Sequence, residues 1–248
     1  MNLPAINVFE TSYESWETRL PTQQEMMQHL NETGQMLHSV NVRLRDRVDN
    51  HIDAARYMLM RGADNGLESF IEQNLDKSSA YKLLRDSMPS KTPNSISDYQ
   101  KKYQSCDLLE VAKDIDSIGI TLTEGTFLFH GGFWPNNTNN LITDRPLSTT
   151  FCPQVALRSA EWCGKAYNVG EIQLFVLKVV NPKTKVFAFR RKGTNLGHEK
   201  EVLFSSGAIL TLCKKTLIQN DYNVAIAGNG GRILTKKVPA YLLEINIA

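Results

Sequence analysis

The amino-acid sequence predicts an α+β fold, and three observations carry that reading. Apolar residues recur at helical spacing from about Pro21 to Ile118, short β-rich runs separated by Gly, Asn and Pro begin near Gly125, and the two patterns do not interleave. Helices first and mostly antiparallel strands afterwards is the order expected of this class. At 248 residues, 42% hydrophobic and 22% charged, the chain has a globular composition and the length to bury a sizeable core.

In the first half, Met26, Leu30, Leu37, Val40, Leu44, Val48 and Ile52 recur at spacings of three, four and seven, drawing an apolar stripe down one helical face. The segment Gly62-Ala63-Asp64-Asn65-Gly66 breaks that pattern. Shorter helices follow over Leu67–Leu75 and Ala80–Met88, the second behind Ser78 and Ser79 as N-caps. Pro89 to Pro93 is a turn-rich linker, and Ser95-x-x-Asp98 opens a further helix.

In the second half, strands are expected at Thr126–His130, Ile172–Val180, Lys185–Phe189, Val202–Phe204, Ala208–Leu212, Thr216–Ile218, Val224–Ala227 and Tyr241–Ile247. One helix, Pro153–Trp162, stands among them. Ala227-Gly228-Asn229-Gly230-Gly231-Arg232 lacks the Lys-Ser/Thr of a phosphate loop and reads as a hairpin turn.

Several classes are disfavoured. A net charge of +2 without a dense Lys/Arg stripe argues against nucleic acid as partner. The opening residues lack the basic start and the apolar run of roughly 7–15 residues of an ordinary signal peptide. No window approaches the roughly 18 apolar residues of a membrane helix, so no membrane partner is expected. The four cysteines, Cys106, Cys152, Cys163 and Cys213, are far apart and read as buried free thiols in a reducing compartment. No His/Cys/Asp cluster has metal-ligand spacing, and a monomer is the default expectation.

Three segments stand in a telling order: Phe127-Leu128-Phe129-His130-Gly131-Gly132, Pro146-Leu147-Ser148-Thr149-Thr150-Phe151, and Gly197-His198-Glu199-Lys200-Glu201-Val202-Leu203-Phe204. In an extended segment Glu199 and Glu201 project to one face, where two carboxylates repel unless solvated or employed. Alone, that pattern also fits an edge strand showing its acids to water. Glu201 opens into the apolar Val202-Leu203-Phe204, which places its carboxylate at the mouth of a cleft. The hydroxyls of Ser148-Thr149-Thr150 can hold a carboxylate rotamer, and equally suit a helix N-cap cluster. His130 taken singly fits a satisfied core histidine.

The ordered trio resembles the ADP-ribosyltransferase superfamily, in particular its toxin-like branch with S-T-S and E-x-E motifs. The resemblance covers roughly Glu124 to the C-terminus and includes the helix after S-T-T and the closing strand. It implies a catalytic core of two packed, mostly antiparallel sheets over 121–248, behind a helical cap over 1–120. One departure stands out: His130 occupies the position where this branch carries arginine. Arg145 and Arg158 flank the S-T-T segment and are candidates for the missing positive charge, or surface arginines.

The resemblance further implies NAD+ as substrate, no metal, and a protein acceptor modified on Arg or possibly on Thr. Glu201 would stabilise the oxocarbenium-like sugar, Ser148 would orient Glu201, and Glu199 would receive the acceptor proton. His130 and Gly131 with Ser148, Thr149, Phe151 and Arg145 would bind the cofactor. Phe151 would stack on nicotinamide, or serve as a core phenylalanine. The turn Lys192-Gly193-Thr194-Asn195-Leu196-Gly197 would recognise the acceptor. The setting that follows is a secreted effector in a host cytoplasm, with ubiquitin or a small GTPase among candidate acceptors, and the bacterial cytoplasm as the alternative. A NAD glycohydrolase and a catalytically inactive binding module are the competing readings.

Overall fold

The computed structural model describes residues 4–135, 137–194 and 196–248. Strand β1 (Tyr13–Arg19), helix α1 (Gln23–Thr33) and strand β2 (Val40–Val48) come first, and the two strands pair antiparallel as a sheet of their own. This corrects the helical stripe read through Leu37, Val40, Leu44 and Val48. Gly34 closes α1 in the left-handed conformation, where a side chain would be strained. Beyond it, Val40, Val42, Leu44 and Val48 also satisfy a period of two, and the β-branched valines favour the strand.

Helices α2 (His51–Arg61), α3 (Asn65–Lys77), α4 (Ser79–Asp86), α5 (Asn94–Lys101) and α6 (Leu108–Ile118) follow. Asn50, Asp64, Ser78 and Asp107 each accept hydrogen bonds from the first-turn amides behind them, as N-caps do. Ser95 does not cap α5, which starts behind Pro93 without a side-chain cap. Its hydroxyl instead donates to Asp114 and ties α5 to α6.

The second half holds β3 (Ile120–Thr121), β4 (Phe127–Gly131), β5 (Asn140–Ile142), β6 (Leu147–Thr150), α7 (Pro153–Glu161), α8 (Lys165–Val169), β7 (Ile172–Val179), β8 (Lys185–Ala188), β9 (Glu201–Phe204), β10 (Ile209–Ala227) and β11 (Ile233–Ile247). Among the described residues these strands form one nine-stranded sheet, ordered β3-β8-β9-β6-β4-β7-β11-β10-β5. All neighbours are antiparallel except β7 and β11. The ladder is continuous, and its narrowest point is the junction of β4 and β6, which meet in a single pair, Phe129 opposite Thr150.

Strand β10 is 19 residues long and runs unbroken through the positions where the sequence suggests three fragments. Its middle is polar because it is exposed, and register shifts near Leu212, Leu217 and Gln219 bend it without ending it. The turn at Ala227–Arg232 closes the β10–β11 hairpin as expected. One set of buried side chains runs from Ile6, Met58 and Leu84 through Phe129 and Leu177 to Ile245, so residues from both halves of the chain share a core.

Candidate active site

The sheet junction opens into a cavity of about 370 Å³. Its floor is the end of β4 and the length of β6, and one wall is α7. Pro153 starts that helix, where a missing amide proton costs nothing. Gly131 lets α7 approach closely, since a Cβ there would collide with the Ala156 carbonyl. The opposite side is made by His198, Glu199 and Glu201.

Glu201 is the first residue of β9, directly opposite Thr150 in the β6 ladder. Ser148, two residues along on the same face, donates from Oγ to Glu201 Oε1 at 2.5 Å. The other oxygen, Oε2, accepts from Gln100 Nε2 of α5 at 2.8 Å. Both carboxylate oxygens are therefore fixed, in a residue only 7% exposed. Burial pushes the carboxyl up to about 7, the Ser148 and Gln100 hydrogen bonds pull it back, and the neighbouring Glu199 adds to the rise.

The E-x-E segment departs from the extended geometry expected of it. Gly197–Glu199 is a single 3₁₀ turn, and Lys200 takes the left-handed conformation at φ 51° before β9 begins. Glu199 and Glu201 nonetheless line the same cavity. Lys200 turns the other way and is buried, with Nζ 3.2 Å from Glu68 Oε1 and 2.9 Å from the His198 carbonyl it donates to. Glu68 Oε2 in turn accepts from Gln154 Nε2 at 2.7 Å, which links α3, α7 and the turn. The remaining backbone is pinned by β6: Thr150 Oγ1 donates to the Glu199 carbonyl at 2.6 Å, and Thr149 Oγ1 to the Val202 carbonyl at 2.7 Å. Glu199 is half-buried, and that burial raises its carboxyl above the ordinary range.

His130 sits at 2.7 Å, through Nδ1, from the Ser148 carbonyl. A carbonyl only accepts, so Nδ1 carries the proton and Nε2 is the acceptor nitrogen. Burial lowers the affinity of the ring for a second proton, which keeps it neutral. One nitrogen is thus committed to Ser148, and a cofactor would meet only the other. Ser148 thus meets His130 through its backbone carbonyl and Glu201 through its hydroxyl, and Gln100 meets Glu201 from the other side.

Of the residues expected to bind the cofactor, Gly131, Ser148 and Thr149 line the cavity. Phe151 does not: directly after the end of β6 it is 1% exposed and packs edge-on against Tyr81 in the core. The aromatic side chain at the cavity is Trp162, at the end of α7 and exposed. Arg145 is exposed and outside the lining, while Arg158 of α7 is part of it. Within the turn Lys192–Gly197, Asn195 lies outside the described residues. Sequence reasoning passes over Gln100, Lys200 and Trp162. Gln100 carries no local signal, and Trp162 stands one helical turn after Arg158 on the face that α7 turns to the cavity.

No family model matches the chain, and no curated protein sequence does. Among solved structures the chain is similar to Plx2a, an ADP-ribosyltransferase toxin from Paenibacillus larvae, at 11% identity and TM-score 0.44, over 73% of this chain and 96% of that one. It is similar to the ADP-ribosyltransferase Vis in complex with agmatine at 13% identity and TM-score 0.43, over 75% and 86%. Vis is a toxin from Vibrio splendidus. HopU1 of Pseudomonas syringae, also an ADP-ribosyltransferase, matches at 12% identity and TM-score 0.34, over 68% and 65%.

Proposed function

We propose that the chain is a mono-ADP-ribosyltransferase that cleaves NAD+ and passes ADP-ribose to an Arg or Thr side chain of a target protein. The observation that carries this reading is Glu201: a desolvated carboxylate in a cavity, held on both oxygens by Ser148 and Gln100. Breaking the nicotinamide–ribose C–N bond sends the bonding electrons to nicotinamide and leaves positive charge on the sugar. A carboxylate fixed in a dry site favours that charge over the ground state, with no reorganisation required as it forms.

Glu201 stabilises the sugar cation and binds the ribose 2′-hydroxyl. Ser148 and Gln100 hold its rotamer and keep a share of it ionised near neutral pH. The acceptor nucleophile then attacks the anomeric carbon and yields its proton to Glu199, whose raised affinity for protons suits a base. His130 offers Nε2 to the cofactor, Arg158 supplies positive charge for its phosphates, and Trp162 provides an aromatic face. Residues 1–120 act as a cap that contributes Gln100 to the core. The setting we favour is an effector acting on a host protein, in which ubiquitin and small GTPases are candidate acceptors.

The test is incubation of the purified chain with labelled NAD+ and a eukaryotic cell lysate, beside Glu201→Gln. Label attached to protein by the parent and absent with the variant supports the reading and presents the acceptor. Nicotinamide release without labelled protein would replace it with a NAD glycohydrolase. Neither release nor labelling would favour an inactive binding module.

A further inference from the structure

A second concavity, of about 540 Å³, shares no lining residue with the first. It lies between the end of α3, helix α4 and the segment Arg190–Lys192 that leaves β8. Five cationic side chains line it, Lys82, Arg85, Arg190, Arg191 and Lys192, against two carboxylates, Asp76 and Asp86. Asp76 is already engaged by Arg191 and by Lys192, and Arg191 also pairs with Glu72 just outside the lining, which leaves an excess of about two positive charges. Among the described residues, Lys82, Arg85 and Arg190 form no ion pair.

Like charges gathered in excess of their counter-charge raise the energy of a fold, and an anion in the hollow relieves them. A solvated basic patch would let such side chains swing apart. Here two of the guanidiniums are held. Arg85 is half-buried and donates to the Ala188 carbonyl; burial first, and the charge of nearby Arg190 after it, lower its affinity for its proton. Arg191 has a side chain only 6% exposed, its guanidinium stacks 4.9 Å from the Tyr81 ring centroid, and its Nε is buried without a partner. The planar fork of arginine matches the paired oxygens of a phosphate, and the excess of cations suits a dianion better than a single carboxylate.

We propose that this concavity is a second binding site, for a phosphate monoester group. The site stands on its own charges and does not depend on the transferase reading. It has a structural tie to the candidate active site: Thr194 Oγ1 donates to the Arg190 carbonyl at 3.2 Å, and Gly197 packs where a Cβ would collide with the Arg191 carbonyl. The turn leading to Glu199 therefore rests on the backbone of two of the five cations that line the concavity.

Calorimetric titration of the intact chain with inorganic phosphate, and separately with a phosphoserine-containing hexapeptide, tests the proposal. Arg190→Glu is the main variant, because Arg190 is exposed and its replacement spares the core; Arg85→Ala is the second. Saturable one-to-one binding is expected, weakened at least about tenfold by either substitution, the loss expected for a charge-assisted hydrogen bond. Glu201→Gln should bind as the parent does. A hexapeptide that binds tighter than inorganic phosphate identifies a phosphorylated polypeptide as the source, and equal affinities identify a small phosphate compound. The proposal is overturned if neither probe binds saturably, if both arginine variants bind like the parent, or if NAD+ displaces the phosphate competitively, which would place it in the first cavity.

Discussion

Gln100 and Glu201 stand 101 residues apart in the chain and 2.8 Å apart in space, joined by a hydrogen bond from α5 to the first residue of β9. The bond satisfies the carboxylate oxygen that Ser148 leaves open. It favours the ionised form, which the surrounding burial disfavours.

Replacing Gln100 by Leu removes that support and moves the Glu201 carboxyl further above 7. The pH profile of kcat/KM for NAD+ cleavage should shift to higher pH, so that activity falls several-fold at pH 6 and much less at pH 9. An equal loss at every pH would assign Gln100 a purely structural part.

The same raised carboxyl makes a prediction about stability. Folded Glu201 keeps its proton up to about 7, against about 4.5 for an ordinary glutamate, so between those values the folded state holds a proton that the unfolded state has lost. Stability contributed by this group is complete below about 4.5 and is lost as pH rises through 7. Glu201→Gln, which does not titrate there, should gain on the parent by about 2–3 kcal/mol between pH 4.5 and pH 8. Urea unfolding at both pH values measures it. A difference independent of pH would mean that the carboxyl is ordinary.

Lys200 separates the two acids and points away from both. Its left-handed backbone, at φ 51°, costs about 1 kcal/mol for a residue with a side chain, and the ion pair to Glu68 offsets it. Lys200→Met should destabilise the fold by about 3 kcal/mol, because Glu68 is left without its cation. Lys200→Met combined with Glu68→Gln should recover a large part of that loss. Strictly additive effects in thermal unfolding would contradict the pairing.

Arg158 and Arg145 look equivalent in the sequence, and the structure separates them. Arg158 lines the cavity and Arg145 lies outside it. Arg158→Ala should raise KM for NAD+ by about tenfold, the cost of a lost phosphate contact, and Arg145→Ala should change it little. The reverse ranking in steady-state kinetics would relocate the phosphates.

The elements that place the site are those whose signals are local. A glycine bend ends β4, S-T-T leads into a proline-started helix, and an acid opens an apolar strand, so His130, Ser148 and Glu201 are readable and come together. What stayed hidden was set by tertiary contact. Val40–Val48 satisfies both helical and strand periods, and its pairing with Tyr13–Arg19 decides between them. The bend of E-x-E depends on Lys200 finding Glu68, 132 residues away, and no spacing announces that. Phe151 is taken by the core, edge-on against Tyr81 of α4, a contact that no local pattern announces. Gln100 belongs to a helix whose buried face is Ile96 and Tyr99, and only the docking of that helix gives its amide a purpose.

Glu201, as we propose it, drives cleavage of the nicotinamide–ribose bond, and nicotinamide release from NAD+ reads that step with no acceptor present. The purified parent should release nicotinamide, and Glu201→Gln should do so at least about 10²-fold more slowly while staying folded, the loss expected for one transition-state electrostatic group. A folded Glu201→Gln protein that releases nicotinamide at the parent rate would contradict the account.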